Sequence, residues 1–221
     1  MKHWPLFGLR LRTPRLELRL PGPKELDELA DTALEGVHPP DEMPFAVPWT
    51  HAPREELGIR TIRWQWKMLA EWTPEDWHLP LVAVHEGRVI GVQELHARDF
   101  AVLREVSSGS WMGLRHQRRG LGTEMRAAVL ELAFTGLGAR FATTGAHTDN
   151  PASLGVTRKL GYRPNGMTRS VVLGRPVEES RFVLDRDDWA AHREVETEIE
   201  GLEPCLRHFG AGPSDGDERF S

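Results

Sequence analysis

The sequence predicts a single mixed α/β domain, a mainly antiparallel central sheet with helices on both faces. Three observations carry this. Residues 9–20 (L-R-L-R-T-P-R-L-E-L-R-L) alternate apolar and charged side chains, the period of a half-buried strand. The apolar run 81–84 and the segment 89–96 flank the tight turn Glu86-Gly87-Arg88, as in a β-hairpin. Helical spacing appears between such runs in an irregular order, β-α-α-β-β-β-α-β-α-β-β, which argues against a doubly wound dinucleotide fold.

In chain order, Pro14 cannot donate a ladder hydrogen bond, so the first strand belongs at an edge or begins near that residue. Pro21-Gly22-Pro23 stops it. A helix is expected over 24–35, with Leu26, Leu29, Ala30 and Ala33 on one face. Four prolines between 37 and 50 forbid a regular element, with Phe45 and Trp49 as apolar anchors. Ile59, Ile62, Trp66 and Leu69 mark a second helix over 54–71, whose tryptophans, with Trp72 and Trp77, suit a core or an interface. After the hairpin, a strand over 104–114 leads into a basic turn and an amphipathic helix. Another strand fits 139–147, and a helix fits 150–161, capped by Asn150 with Pro151 at its first turn and Gly161 at its end. Pro164-Asn165-Gly166 turns the chain before strands at 167–173 and 179–185. The domain is expected to span 1–189. Residues 190–209 should form a helical extension with a thin stripe of Val195, Ile199 and Leu202, and 210–221 have too little to bury to fold.

With 221 residues and a formal net charge of -5, the chain can bury one core but offers no broad basic face for nucleic acid. The single cysteine, Cys205, excludes an intrachain disulfide and a cysteine metal cage. No secretory signal and no apolar run of about 20 residues is present, so a cytoplasmic protein without a membrane partner is expected.

The most informative stretch is 111–132, W-M-G-L-R-H-Q-R-R-G-L-G-T-E-M-R-A-A-V-L-E-L. Arg115, His116, Arg118 and Arg119 surround Gly120 and Gly122 where a helix begins. Helix N-termini offer unpaired amides and partial positive charge, and glycine admits a ligand close to backbone, so this turn suits phosphate. It is neither of two common phosphate motifs. Met125 stands where G-x-G-x-x-G needs its third glycine, and no Walker-A lysine occurs. A strand-to-helix turn with glycine for geometry and arginine for solubility is the plainer alternative.

Gln117-Arg118-Arg119-Gly120-Leu121-Gly122 resembles the Q/R-x-x-G-x-G/A acyl-CoA motif of the GNAT acyltransferase superfamily. Asn150-Pro151-Ala152-Ser153, with Lys159-Leu160-Gly161-Tyr162, is similar to a second element of its RimJ/RimL-like branch, which includes ribosomal-protein N-terminal acetyltransferases. The resemblance covers about 9–189 and implies a GNAT-like sheet. It also implies that Gln117, Arg118, Arg119, Gly120, Leu121, Gly122 and Thr123 hold the coenzyme A pyrophosphate. The family's fourth and fifth strands splay, so Trp111, Met112, Gly113 and Leu114 should carry the pantetheine arm. The Met112 N–H is implied as oxyanion donor, with Asn150 and Ser153 also on the coenzyme. For proton transfer the first candidate base is Glu94, with Glu105, Ser107, His96 and Asp99 weaker. The tyrosine that many relatives use as general acid is replaced here by Thr157, and Ser153 is the hydroxyl that resembles the branch's substitute.

The implied activity is N-acyl transfer from an acyl-CoA, acetyl-CoA or succinyl-CoA, to an amine. The acceptor would be a protein N-terminus, a lysine or a small molecule, attacking directly in a ternary complex without a metal. Self-association through the tryptophan-rich second helix is a further expectation. The competing expectation is a non-catalytic acyl-CoA sensor that kept the seat and lost the chemistry.

Overall fold

A computed structural model describes residues 1–212. A hairpin of β1 (Arg10–Arg12) and β2 (Glu17–Arg19) precedes helices α1 (Pro23–Glu35) and α2 (Arg54–Ala70). The hairpin of β3 (Asp76–His85) and β4 (Arg88–Arg98) leads through the short α3 (Phe100–Leu103) to β5 (Glu105–Met112). Then come α4 (Leu121–Glu131), β6 (Phe141–His147), α5 (Pro151–Lys159), β7 (Arg163–Val172), β8 (Arg175–Asp185), α6 (Arg186–His192) and β9 (Glu198–Glu200). The nine strands form one sheet in the order β7-β8-β6-β5-β4-β3-β2-β1-β9. The β5–β6 pair is parallel and the other described pairs are antiparallel.

Neighbouring strand residues point to opposite faces, and this sheet is covered on both. One face carries the main core: Leu79, Leu81, Leu95, Val106 and Ala142 meet Met125, Ala128, Val129 and Leu132 of α4 and its continuation. On the other, Leu29 of α1 packs on Val82, Val89 and Val92. α4 ends in a π-turn over Leu132–Gly136.

Four expectations are corrected. Residues 9–20 form two strands, because Pro14 breaks the ladder and the Thr13 N–H closes the turn on Leu16 O at 2.9 Å. The buried face of α2 is Leu57, Thr61, Gln65 and Met68, whereas Ile59, Trp64 and Trp66 are about half exposed. Gly58 stands on the side of α2 that meets α1, its Cβ position 3.5 Å from Leu34 and 3.6 Å from Ala30. Pro164-Asn165-Gly166 lies at a register irregularity inside β7, not at a turn before it. The short α3 was not anticipated from the pattern.

The expected helical extension over 190–209 does not form. α6 stops at His192, and Ile199 sits opposite Leu11 because β1 offers a free backbone edge that β9 fills. Arg12 pairs with Glu200 across that seam. A 3-10 helix over Glu203–Phe209 follows, ending at Gly210 with φ +62°. Of the stretch 210–221, residues 213–221 lie outside those described. No helix among the described residues is long and apolar enough to cross a membrane.

Candidate active site

The site begins with unequal pairing along β5. From Ser107 to Met112 β5 stays in register with β4, but its described pairs with β6 end at Ser107↔Thr143. Beyond Ser107 the parallel neighbours part. The Gly113 N–H donates to Ile90 O at 2.9 Å, so antiparallel alternation turns the Met112 and Ser110 backbone groups away from β4, toward the gap. Two bonds agree with this polarity: Ser108 O accepts from Thr144 Oγ1 at 3.1 Å, and Met112 O accepts from Gln117 Nε2 at 2.9 Å.

This narrows the strip expected at 111–114. The Gly113 amide is bonded to Ile90 and the Leu114 amide to Gly36 O at 3.0 Å. Trp111 faces its β4 partner Val92 along the backbone and sets its indole 5.2 Å from Trp49. The amides that face the gap are those of Met112 and of Ser110, which the sequence did not single out. Gly91 lets β4 approach the Trp111–Met112 backbone closely, since a Cβ there would strike the Trp111 carbonyl and lie 2.8 Å from Met112 Cα.

The basic turn lies at the open end of the gap. Gln117 Nε2 also donates to Val37 O at 2.8 Å, bracing the turn between β5 and the segment after α1. Arg118 takes φ +59° and Gly120 φ +79°, the left-handed pair of angles that swings the chain into α4. The Glu124 N–H makes the first intrahelical bond, to Gly120 O at 3.2 Å, so the amides of Leu121, Gly122 and Thr123 precede the ladder. Arg118, Arg119 and Gly120 are exposed, while the Leu121 side chain is buried in the core. Burial, aided by Arg115 and Arg119, holds His116 below its usual pKa. The turn is pinned from behind by Glu124, a buried carboxylate that accepts from Thr13 Oγ1 at 2.6 Å and Arg15 Nε at 2.7 Å. Arg15 also donates to Arg119 O at 3.0 Å.

Across the gap stands α5. Asn150 Oδ1 accepts the Ser153 N–H at 3.0 Å, so Asn150 is a helix cap, and its amide nitrogen is the group left for a ligand. Thr157 Oγ1 donates to Ser153 O at 2.9 Å and accepts from Arg126 Nη1 of α4 at 3.0 Å. Gly122 of α4 faces α5, its Cβ position 3.9 Å from Val156.

Glu94 occupies the opposite sheet face. It lies across from Gly109, where a Cβ would meet nothing within 4 Å, so open space adjoins this carboxylate. Its Oε1 is 2.6 Å from His78 Nδ1, and the His78 ring stacks on His96 with centroids 4.8 Å apart. The bond to Glu94 raises the His78 pKa, whereas burial lowers that of His96. The donor atoms of His78, Glu94 and His96 all lie within 4.8 Å of one another, close enough for a divalent cation to be considered. The contact that the structure shows within the cluster is the carboxylate–imidazole pair of Glu94 and His78. Ser107 stands opposite His96 on the same face. Glu105 lies in the paired part of β5, opposite Phe141 of β6, and Asp99 precedes α3, so both are away from the gap.

The structure thus places Glu94 opposite Gly109 of β5, the Met112 amide on the open edge of that strand, the turn 117–123 at its end, and Ser153 in the first turn of α5. Sequence reasoning missed Ser110, His78, Glu124 and Arg15. His78 is near the start of the first hairpin strand, and counting back from the turn places it opposite Leu95. A register shift near Ala83/Val84 moves it opposite His96 instead.

The acetyltransferase (GNAT) domain family matches residues 15–163. Among solved structures, a GCN5-related N-acetyltransferase from Brucella melitensis is 22% identical with a TM-score of 0.67, covering 88% of each chain. Mycobacterium smegmatis RimJ, in complex with a CoA disulfide, is 16% identical with a TM-score of 0.66, over 87% of this chain and 98% of that one. RimL, a ribosomal alpha-N-protein acetyltransferase in complex with coenzyme A, is 15% identical with a TM-score of 0.63, over 80% and 97%. The match over two thirds of the sequence and the splayed sheet agree: this chain belongs to the GNAT acetyltransferase domain family, with RimL and RimJ among the structures that share its fold.

Proposed function

We propose that the protein transfers an acetyl group from acetyl-CoA to a primary amine by direct attack in a ternary complex. The observation that carries this is the open edge of β5 leading straight into the glycine turn. The turn offers amides and arginines to the pyrophosphate. The outward amides of Ser110 and Met112 pair with the pantetheine arm and polarise the thioester carbonyl, where negative charge develops in the transition state. Asn150 and Ser153 border the arm from α5.

The acceptor approaches over Gly109. Glu94 takes the proton released by the attacking amine, with His78 hydrogen-bonded to hold the carboxylate. Glu71, Asp76 and His78 line a depression of about 80 Å³ next to it, and carboxylates there suit a cationic amine. A protein N-terminus, a lysine or a polyamine-like small molecule each meets that requirement.

The test is acetyl-CoA and succinyl-CoA offered with a panel of peptides, free lysine derivatives and polyamines, read by mass and by released thiol. Acetylation of an amine supports the assignment. Preferred succinylation would overturn the choice of donor. Tight acetyl-CoA binding with no acceptor modified across the panel would favour an acyl-CoA sensor.

A further inference from the structure

Proton transfer from an amine uses Glu94 and its partner His78, but a third side chain of the same kind, His96, stands beside them with no part in that step. His78 of β3 and His96 of β4 are direct register partners, so both leave the same face of the sheet. Glu94 lies two residues before His96 on β4 and shares that face. Cross-strand partners hold their Cβ atoms about 5 Å apart, and residues i and i+2 of one strand lie about 7 Å apart. Paired strands therefore set this triangle, and strands hold a site more tightly than loops do.

The donor atoms of the three residues lie within 4.8 Å of one another, and His78 Nδ1 stands 2.6 Å from Glu94 Oε1. Two ligands of one tetrahedral zinc ion, at bond lengths of about 2.0–2.2 Å, are about 3.3–3.6 Å apart, between those two distances. His96 meets His78 through the ring faces, with planes 11° apart, so the ring nitrogens at the edges take no part in the stack. Turning the rings about χ2, a soft torsion in histidine, aims those nitrogens at one point beside the carboxylate. Two imidazoles and a carboxylate suit a zinc-class ion, whereas magnesium and calcium take sets of oxygen ligands. Three protein ligands also leave one position open, as in zinc sites that admit a further ligand. Open space adjoins Glu94 over Gly109 to receive it. The nearby guanidiniums are each paired with a carboxylate, Arg98 with Asp76 and Arg181 with Glu179, so neither opposes an ion as a free charge.

We propose that His78, Glu94 and His96 form a binding site for a zinc-class divalent cation, and that the bound ion switches acetyl transfer off. The cation site stands on the geometry of these three residues. The switch rests in addition on the proposed role of Glu94 as the base. A carboxylate coordinated to a divalent ion is a much weaker proton acceptor, and the ion's charge repels a protonated amine. The ion thus takes no part in acyl transfer. It occupies the place where the amine gives up its proton.

The test titrates the untagged full chain, stripped with a chelator, with cobalt(II), whose visible absorption reports the ligands it gains. One cobalt per chain should bind, and zinc should displace it and raise Tm. His96→Gln and Glu94→Gln should each weaken cobalt binding about 100-fold or more, beyond the 10–100-fold that changes around a metal's ligands cost. His51→Gln, on an exposed 3-10 turn, should leave it unchanged. Melting without metal shows which variants fold, and either folded variant decides. No cobalt spectrum at millimolar metal, or a spectrum that a folded variant leaves unchanged, overturns the site. This measurement needs no acceptor, so its failure is separate from a failure of the acetyl-transfer assignment. Stoichiometric zinc should then cut the initial rate of acetylation at least about tenfold, and His96→Gln should need about 100-fold more zinc for the same loss. The rate is read by acceptor mass, because released coenzyme A thiol itself binds zinc. Metal binding with undiminished acetylation would overturn the switch and the role of Glu94 as base together, while the cation site would stand.

Discussion

At the scale of single residues, the cleft is shaped as much by missing side chains as by present ones. Gly109 leaves open space beside Glu94, and that space is the approach assigned to the acceptor. Gly109→Val adds a β-branched side chain suited to a strand, its Cβ in open space. It should leave coenzyme A affinity and thermal stability within error while lowering kcat/KM for the amine by about tenfold, equivalent to ~1.4 kcal/mol. Gly120 acts differently: it is exposed with φ +79°, in the turn that the proposed function assigns to the pyrophosphate. Gly120→Asp puts a carboxylate there, in a conformation that aspartate tolerates at a cost of ~1 kcal/mol. Coenzyme A affinity should fall about 100-fold, ~2.7 kcal/mol, well beyond the loss in unfolding free energy. Equal losses of both would favour a turn with only a structural role.

The elements show what the sequence made legible. The strand–turn–helix around Gly120 and the capped helix after Asn150 were readable because caps and glycines act locally, through bonds to neighbours in the chain. The hairpin β3–β4 was readable as a hairpin, but its register was not. The shift near Ala83/Val84 depends on Gly91 accepting the Trp111 backbone, a contact with a strand some 20 residues away. His78 therefore joined Glu94 only in three dimensions. Likewise the buried face of α2, Leu57, Thr61, Gln65 and Met68, did not follow its apolar spacing. The His78–Glu94 pair yields a pH prediction with a definite sign. Because Glu94 raises the folded His78 pKa, the pair's stabilisation is fully present below the unfolded value of about 6.5 and fades as pH rises through the folded one. His78→Gln should thus lower Tm more near about pH 6 than near about pH 9. The pair is partly exposed, so the difference should stay within ~1 kcal/mol.

For the molecule as a whole, the two ends of the described chain pack against each other, Trp4 lying 5.3 Å from His208. β9 completes the sheet at β1, and the 3-10 helix after it delivers Phe209 into a cage of Trp72 and Trp77. Trp72 Nε1 donates to His208 O at 2.8 Å and Trp77 Nε1 to Phe209 O at 3.1 Å, so these indoles are packing residues with satisfied polar ends. Composition and periodicity pointed to a helix here because Val195, Ile199 and Leu202 fit its spacing. The competing backbone partner, β1, is nearly 200 residues away in sequence and is invisible to local pattern. Phe209→Ala should cost about 3–5 kcal/mol by denaturant unfolding, without changing the affinity of the remaining folded protein for coenzyme A. A loss below about 1 kcal/mol would show that the C-terminal segment is not part of the core.

The central claim is that one continuous surface, the outward edge of β5 and the turn that follows it, holds coenzyme A. Backbone amides do this work, so amide hydrogen exchange with and without coenzyme A reads it directly. Saturating coenzyme A should slow exchange at Ser110, Met112 and the amides of 119–123, while the Gly113 and Leu114 amides, already bonded to Ile90 and Gly36, change little. Protection confined to other parts of the chain, or none at saturation, would contradict the claim.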